Sequence, residues 1–237
     1  MSYSIEKVEL AQCHEADDLV VVIDVIRAFT TAAYAVARGC EKLIAVSGID
    51  EARKLHDQTA NSLLAGEDKA IPIPGFHCSN SPFEMMSAPV QGKTLVFRTS
   101  SGTQGVVRAK KAKKMIVSSF VIAEATCTYI HRLKPKKVTF VITGSGDHGQ
   151  EDYALADYLE AKLVHGKVDP KPYLERVRNS PSGINLAKAT RPHFRPEDLE
   201  AVCAIDAFDF ALEVNYEEGF PVIRAMPLQD NMNELLS

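Results

Sequence analysis

Cysteine is scarce in this sequence, and its spacing excludes several kinds of site. The five cysteines lie far apart, and no two of them form a CxxC pair. This arrangement does not suit a disulfide framework, so we expect reduced, mostly buried thiols of a cytoplasmic protein. The seven histidines form no HxxxH or HExxH pattern, and the sequence has no Walker lysine motif, CX5R loop or DxDxT signature. The common zinc motifs and a covalent cysteine mechanism are therefore not expected.

Long apolar runs and a large net charge are also absent. The longest apolar run, residues 19–26, is interrupted by Asp24 and is too short to cross a bilayer. The N-terminal residues lack the basic-then-apolar order of a signal peptide. The formal net charge is −4, so no strong attraction to nucleic acid or membrane is expected. With 46% hydrophobic residues among 237, we expect one soluble domain over residues 1–237.

Short β-branched runs alternate with helical patterns along the chain. This alternation predicts an α/β fold, with three α/β/α layers and a mostly parallel or mixed sheet. A closing hairpin is predicted over residues 208–225, and residues 166–196 are expected to be irregular with short helical pieces. Residues 31–47 resemble residues 103–119, either because any two βαβ units look alike or because one unit was duplicated. Strands are predicted at residues 20–23, 43–46, 62–65, 94–97, 115–117 and 138–142, and a helix is predicted at residues 123–133.

Parallel sheets bind ligands beyond the carboxyl ends of their strands, and the first such loop covers residues 24–31. Asp24 ends a buried strand, where an ionised carboxylate needs a counter-charge or a cation. Arg27 can bind phosphate through two parallel hydrogen bonds. Thr30 and Thr31 open a helix, whose N-terminus favours an anion. The alternative is an Asp24–Arg27 ion pair with a threonine cap.

The second loop covers residues 99–103 and again joins a strand to a helix. It has four hydroxyl groups and one glycine, which predicts an anion-binding nest. The alternative is a hydroxyl-rich helix cap. The candidate phosphate-binding residues of this loop are Thr99, Ser100, Ser101, Gly102 and Thr103.

The third loop covers residues 144–152 and formally matches GxGxxG. No strand ending in an acidic residue follows it, and Asp147 would repel a pyrophosphate, so a dinucleotide site is not expected. Glu151 and Asp152 open a helix. They are either acids stabilised by the helix dipole or ligands of Mg²⁺, and Asp147 is a further candidate ligand.

Two shorter pieces lie between these loops. Glu67 follows a predicted strand and adds a carboxylate to the expected ligand edge. Asn80 and Ser81 lie in the proline-rich loop 68–92 and offer neutral hydrogen bonds to a substrate.

In order and spacing, these motifs resemble the 2-phosphosulfolactate phosphatase family, whose members are Mg²⁺-dependent and associated with coenzyme M biosynthesis. The resemblance spans about residues 20–210. The sequence departs from the family pattern at Phe29, His77, Ser101 and Ile122. The motifs are D-V-x-R-A-x-T-T at 24–31, G-E at 66–67, N-S-P at 80–82, T-x-x-G-T at 99–103 and a G-x-x-G loop ending in E-D at 146–152.

The resemblance implies hydrolysis of a small phosphate monoester, with 2-phospho-3-sulfolactate as the family's substrate. On this hypothesis, Arg27 and residues 99–103 neutralise the phosphate, and residues 80–81 position the organic part. The expected partner is a small phosphorylated organic acid, and no binding of nucleic acid or membrane is expected. Whether the protein forms a homodimer is left open. One Mg²⁺ ion is expected among the carboxylates of Asp24, Glu67 and either Glu151 or Asp152.

Other functions and one mechanistic choice remain open at this point. A non-catalytic phospho-ligand-binding or regulatory module would use the same anion-binding loops. A phosphosugar-type isomerase would need a general base, for which His148 is the candidate. The residues do not decide whether water or a carboxylate such as Asp24 attacks the phosphorus atom.

Overall fold

The computed structural model describes residues 3–144 and 146–228, and the side chains of Asp147 and His148 lie outside this description. Within these ranges, ten strands form one sheet that carries nine α-helices. The strands are β1 (Ser4–Glu9), β2 (Asp18–Ile23), β3 (Lys42–Ala45), β4 (Ser62–Asp68), β5 (Ile71–Pro72), β6 (Thr94–Arg98), β7 (Ala112–Ser118), β8 (Lys137–Ile142), β9 (Phe210–Glu217) and β10 (Phe220–Pro227). The helices are α1 (Ala28–Ala37), α2 (Ile49–Gln58), α3 (Pro82–Met85), α4 (Gly102–Arg108), α5 (Ala123–Leu133), α6 (Gln150–His165), α7 (Lys171–Asn179), α8 (Pro181–Ala187) and α9 (Pro196–Val202).

The sheet consists of two parallel groups that run in opposite directions. Its strand order is β1-β8-β2-β7-β9-β10-β3-β6-β4-β5. Strands β1, β8, β2 and β7 are parallel to one another, and so are β3, β6 and β4. The antiparallel pairs β7–β9, β9–β10 and β10–β3 join the two groups. The predicted α/β fold with a mixed sheet is confirmed, and the hairpin is β9–β10.

The strand order is symmetric about the β9–β10 pair. Strand β2 is third from one end and β6 is third from the other, while β7 and β3 hold the fourth places. The units β2–α1–β3 and β6–α4–β7 therefore each begin in one parallel group and end in the other. This correspondence covers the sequence segments 31–47 and 103–119, so it supports a duplicated unit over a chance likeness.

Side chains of the central strands alternate between two apolar layers. On one face, Val20 and Val22 join a buried cluster with residues of α1, α3 and α4. On the other face, Val21 and Ile23 join a cluster with residues of α5 to α9. A smaller cluster around Val96 lies under α2. Because β2 is covered on both faces, it is apolar at nearly every position, as expected of a buried parallel strand.

Most predicted elements lie within a few residues of the observed ones, and the predicted helix 123–133 coincides with α5. The hydrophobic pattern does not predict β1, because this edge strand reads Ser-Ile-Glu-Lys-Val-Glu and is only partly buried. The short helical pieces expected within residues 166–196 are confirmed as α7 and α8. In the described ranges, no helix is both long enough and apolar enough to span a bilayer.

The five cysteines are free, and four of them are buried. Burial raises the pKa of Cys40 and Cys127 to about 12 and that of Cys203 to about 11. These thiols therefore stay protonated near neutral pH. The prediction that the thiols are mostly buried is confirmed.

Candidate active site

The first loop begins where β2 leaves the core. Asp24 follows Ile23 directly and is only 5% exposed. Its Oδ1 atom accepts the N–H of Ala28 at 2.9 Å, so the carboxylate caps the first turn of α1. The Thr30 hydroxyl donates to the Val25 carbonyl at 2.9 Å. The carboxylate predicted to need a counter-charge is thus held by backbone N–H groups at the end of a buried strand.

The second loop packs directly against Asp24. A Cβ atom built on Gly102 would lie 2.7 Å from Ala28 Cβ and 2.8 Å from Asp24 Oδ2. The backbone N–H of Gly102 also stabilises the ionised Asp24 carboxylate. The N-termini of α1 and α4 therefore meet at Asp24, and the glycine permits their close approach.

Convergence of these two loops does not follow from a shared sheet edge. Strands β2 and β6 belong to the two oppositely directed groups and lie five places apart in the strand order. In a flat sheet their carboxyl ends would lie at opposite edges. A sheet twists by roughly 20–25° from one strand to the next. Over five strands this rotation allows the carboxyl ends of β2 and β6 to approach each other.

Glu67 ties the end of β4 to the second loop. Its Oε1 atom accepts the N–H of Ser100 at 2.6 Å, and its Oε2 atom accepts the N–H of Ala70. The approach of β4 to β6 requires glycine at position 66, because a Cβ there would lie 1.8 Å from the Arg98 carbonyl oxygen and φ is +136°. Glu67 thereby becomes a buried neighbour of Asp24, whose pKa its charge raises.

Asp152 ties the third loop to the first. Its Oδ1 atom accepts the N–H of Val25 at 2.8 Å, and its Oδ2 atom accepts the N–H of Gly144 at 2.9 Å. This buried carboxylate therefore spans the ends of β2 and β8. Glu151, its neighbour at the start of α6, is 2% exposed and contributes its charge to the same region.

These four carboxylates form one acidic cluster, defined here as Asp24, Glu67, Glu151 and Asp152. Burial and the charges of Glu67 and Glu151 raise the pKa of Asp24 to about 6. Burial and the charges of Asp24 and Glu151 raise the pKa of Asp152 well above its ordinary value. Burial and mutual repulsion thus disfavour the ionised forms of Asp24 and Asp152, and a bound cation would favour them.

Arg27 lies beside this cluster but pairs with an acid that the sequence motifs do not indicate. Its Nη1 group donates to Asp198 Oδ2 at 2.7 Å, with the two side chains 6% and 0% exposed. The other Asp198 oxygen accepts the Ser81 hydroxyl at 2.6 Å and the Phe83 N–H at 3.1 Å. Among the described residues, the acidic partner of Arg27 is therefore Asp198 and not Asp24.

Asp198 is a site residue that sequence reasoning missed. The Pro-Glu-Asp run at 196–198 indicates only the start of a helix, and Asp198 does lie in the first turn of α9. Its connection to Arg27 spans 171 positions in the sequence. Only the fold brings it to the first loop.

The hydroxyl groups of the second loop largely satisfy one another. Thr103 Oγ1 donates to the Thr99 carbonyl at 2.9 Å and accepts the Thr99 N–H at 2.9 Å. The N–H of Thr103 donates to Thr99 Oγ1 at 3.0 Å. Ser101 is half-buried at the N-cap of α4 without a side-chain capping bond. Thr99 and Thr103 thus act as a cap, while phosphate binding by residues 99–103 stays a prediction.

Several buried polar atoms have no hydrogen-bond partner within the described part of the chain. They include Thr31 Oγ1, Asn80 Oδ1, Ser119 Oγ and His193 Nε2. Helix α1, which carries Thr31, packs against α3 and against the short turn that follows Ser119. Buried polar atoms without partners are unfavourable, so their presence near α1 is consistent with a polar ligand.

A cavity of about 310 Å³ opens beside Arg27. Its wall includes Ile26, Lys69, Arg191 and Phe194. The guanidinium carbons of Arg27 and Arg191 each lie 5.4 Å from the centroid of the Phe194 ring. Sequence reasoning did not single out this pocket, because its residues come from three distant segments.

The structure thus brings the predicted loops together. The Gly102 N–H contacts Asp24, and the Ser100 N–H binds Glu67. Asp152 binds the Val25 N–H, while Arg27 and Ser81 both bind Asp198. The side chains of Asp147 and His148 lie outside the described part of the structure. Buried carboxylates, a buried arginine and hydroxyl-bearing loops at the strand ends of an α/β fold are groups that suit a phosphatase, an enzyme that hydrolyses a phosphate monoester.

Comparison with known proteins defines the family. The family model described as 2-phosphosulpholactate phosphatase matches residues 5–215. The chain belongs to this family.

Proteins similar to this chain carry the same name. A protein of Bacillus subtilis (strain 168), named "Probable 2-phosphosulfolactate phosphatase", is 31% identical over 208 residues, covering 87% of this chain and 91% of that protein. A protein of Carboxydothermus hydrogenoformans with that name is 32% identical over 232 residues, covering 90% and 92%. One of Symbiobacterium thermophilum is 37% identical over 151 residues, covering 63% of each chain.

Proposed function

We propose that this chain hydrolyses 2-phospho-3-sulfolactate to 3-sulfolactate and inorganic phosphate, and that the reaction depends on Mg²⁺. Family membership supports the substrate. The observation that carries the proposal is the meeting of three loops at Asp24. Gly102 contacts its carboxylate, Glu67 and Glu151 act on it electrostatically, and Asp152 holds the adjoining Val25.

The acidic cluster fits Mg²⁺ in its donor chemistry. Mg²⁺ prefers oxygen ligands and is usually held by one or two carboxylates together with substrate phosphate. Among the described residues, no three acidic, histidine or cysteine side chains are grouped closely enough to hold an ion as they stand. The proposal therefore depends on the burial and mutual repulsion of these carboxylates, with Asp24, Glu67 and either Glu151 or Asp152 as ligands. A bound Mg²⁺ would supply positive charge for the phosphate oxygens.

On this proposal, the surrounding residues hold the groups that would contact the phosphate. Asp198 and the Phe194 ring hold the guanidinium of Arg27, which has five N–H donors and uses Nη1 for Asp198. Its other donors can stabilise charge that develops on the phosphate oxygens. Asn80 and Thr31 offer buried oxygens without partners in the described part of the chain, which suits contacts to the ester.

The test is release of inorganic phosphate from 2-phospho-3-sulfolactate, with Mg²⁺ and with EDTA. Activity should require Mg²⁺, and Asp24→Asn should lower kcat/KM by about 100-fold or more. The control is Asp50→Asn, which changes an acidic side chain that is 100% exposed. Full activity in EDTA would exclude the metal, and full activity of Asp24→Asn would remove Asp24 from the site. Thermal stabilisation by the substrate without phosphate release would instead favour a binding module.

A further inference from the structure

The cavity beside Arg27 carries positive charge that the phosphate site does not use. Lys69 and Arg191 are exposed residues on its wall. Within the described part of the chain, neither side chain forms an ion pair, whereas Arg27 is paired with Asp198. Two cations without acidic partners in one small cavity favour an anionic ligand.

Backbone and ring contacts join this cavity to the acidic cluster. The N–H of Lys69 donates to Ser100 Oγ at 2.7 Å, and Arg191 Nη1 donates to the Lys69 carbonyl at 3.2 Å. Phe194 lies against both Arg27 and Arg191. A molecule whose phosphate lies at Arg27 would therefore extend toward Arg191.

The size and lining of the cavity limit what can bind there. Its volume of about 310 Å³ lies at the lower end for ligand pockets, which suits a small organic acid. Leu186 and Phe194 give it apolar walls, while Ser182 and Asn185 add neutral polar groups. Such a lining suits a short carbon skeleton that ends in a charged group.

We propose that this basic pocket binds a second acidic group of the substrate, and that Arg191 and Lys69 select phosphate esters that carry a carboxylate or a sulfonate. The proposal rests on the proposed function and adds the residues that determine its specificity. A charge-assisted contact from a guanidinium to a carboxylate or sulfonate supplies the selectivity.

Three phosphate monoesters of secondary alcohols test this selection, because they differ in the number of acidic groups besides phosphate. Isopropyl phosphate has none, 2-phospholactate has one and 2-phospho-3-sulfolactate has two. In the wild type, kcat/KM should rise along this series. Arg191→Gln should lower kcat/KM for the two acid-bearing esters by at least about tenfold, mainly through KM, and should lower kcat/KM for isopropyl phosphate by a much smaller factor. Lys69→Gln should act in the same direction.

Lys188→Gln is the matched control, because it removes an exposed cation at the end of α8 that does not line the cavity. Equal losses on all three esters in Arg191→Gln, or no loss on any, would overturn the proposal. Titration calorimetry with 3-sulfolactate separates this proposal from the phosphatase assignment. If no ester releases phosphate, the pocket is still supported when 3-sulfolactate binds to the wild type and to Lys188→Gln but not to Arg191→Gln. Absence of binding to the wild type would overturn it.

Discussion

At the scale of single residues, the site depends on carboxylates that serve the backbone as well as the chemistry. Asp152 accepts N–H groups from two loops, Glu67 accepts two more, and Asp24 caps α1. Each interaction stabilises the ionised form, yet burial and mutual repulsion raise the pKa of Asp24 and Asp152. The loops are therefore held in place by the charges that also make the site acidic.

The buried ion pair between Arg27 and Asp198 contributes to the free energy of unfolding. Asp198→Asn would remove the charge that compensates a guanidinium only 6% exposed. Breaking a buried pair from one side typically costs about 3–5 kcal/mol, so we expect a loss of that order in the free energy of unfolding and a marked fall in kcat. Urea unfolding and phosphate release measure the two effects.

The control for this prediction is Glu200→Gln, which breaks an ion pair to Arg178 whose side chains are 42% and 70% exposed. Exposed pairs contribute about 0–1 kcal/mol. A similar stability for the Asp198 and Glu200 variants would show that Arg27 does not depend on Asp198.

At the scale of elements, the site is the meeting of two helix N-termini. Helix α1 starts at Ala28, whose N–H binds Asp24, and α4 starts at Gly102, which packs against both residues. Gly102→Ala would place a methyl group 2.7 Å from Ala28 Cβ and 2.8 Å from Asp24 Oδ2. The loops must then move apart, so we expect kcat/KM to fall at least about tenfold, since small misplacements of reacting groups are costly.

Gly48→Ala is a suitable comparison for Gly102→Ala. Its added methyl group would meet Glu51 Cβ at 3.6 Å, an ordinary contact at the start of α2. This variant should retain its kcat/KM in the phosphate-release assay. If Gly102→Ala is equally active, close approach of α1 and α4 is not needed for the reaction.

Sequence patterns predicted the elements better than their arrangement. The apolar periodicity identified β2, β8 and α5 because each buries a continuous face. It did not indicate β1, whose polar residues lie at the sheet edge. The rule that ligands bind beyond the carboxyl ends of parallel strands placed all ligand loops at one edge of the sheet, whereas β2 and β6 run in opposite directions. Strand direction depends on pairing with β9 and β10, which no local pattern encodes.

At the scale of the whole molecule, the acidic cluster makes stability depend on pH. Asp24 has a folded-state pKa of about 6 against an ordinary value of 3.8, so the folded state binds this proton more tightly than the unfolded state. Its contribution to stability is fully present below about pH 4 and is lost as the pH rises through 6. Asp152, whose pKa is also raised, acts in the same direction.

We therefore expect Asp24→Asn to gain stability relative to the wild type between pH 4 and pH 7, by up to about 3 kcal/mol without metal. Because Mg²⁺ would neutralise the cluster, its addition at pH 7 should raise the Tm of the wild type more than that of the variant. Thermal unfolding across this pH range, with and without Mg²⁺, measures both effects. A constant difference between the two proteins from pH 4 to pH 7 would contradict the expectation, and Asp50→Asn should follow the wild type.

The sequence by itself determined the α/β class, the order of the loops and the residue types that suit a phosphate ester. These depend on local periodicity and on motifs within a few residues of one another. Only the tertiary structure decided that Asp198 pairs with Arg27, that Glu67 binds the second loop and that Lys69 and Arg191 share a cavity. Such contacts join residues tens to more than a hundred positions apart, and they exist only once the two strand groups have paired and twisted.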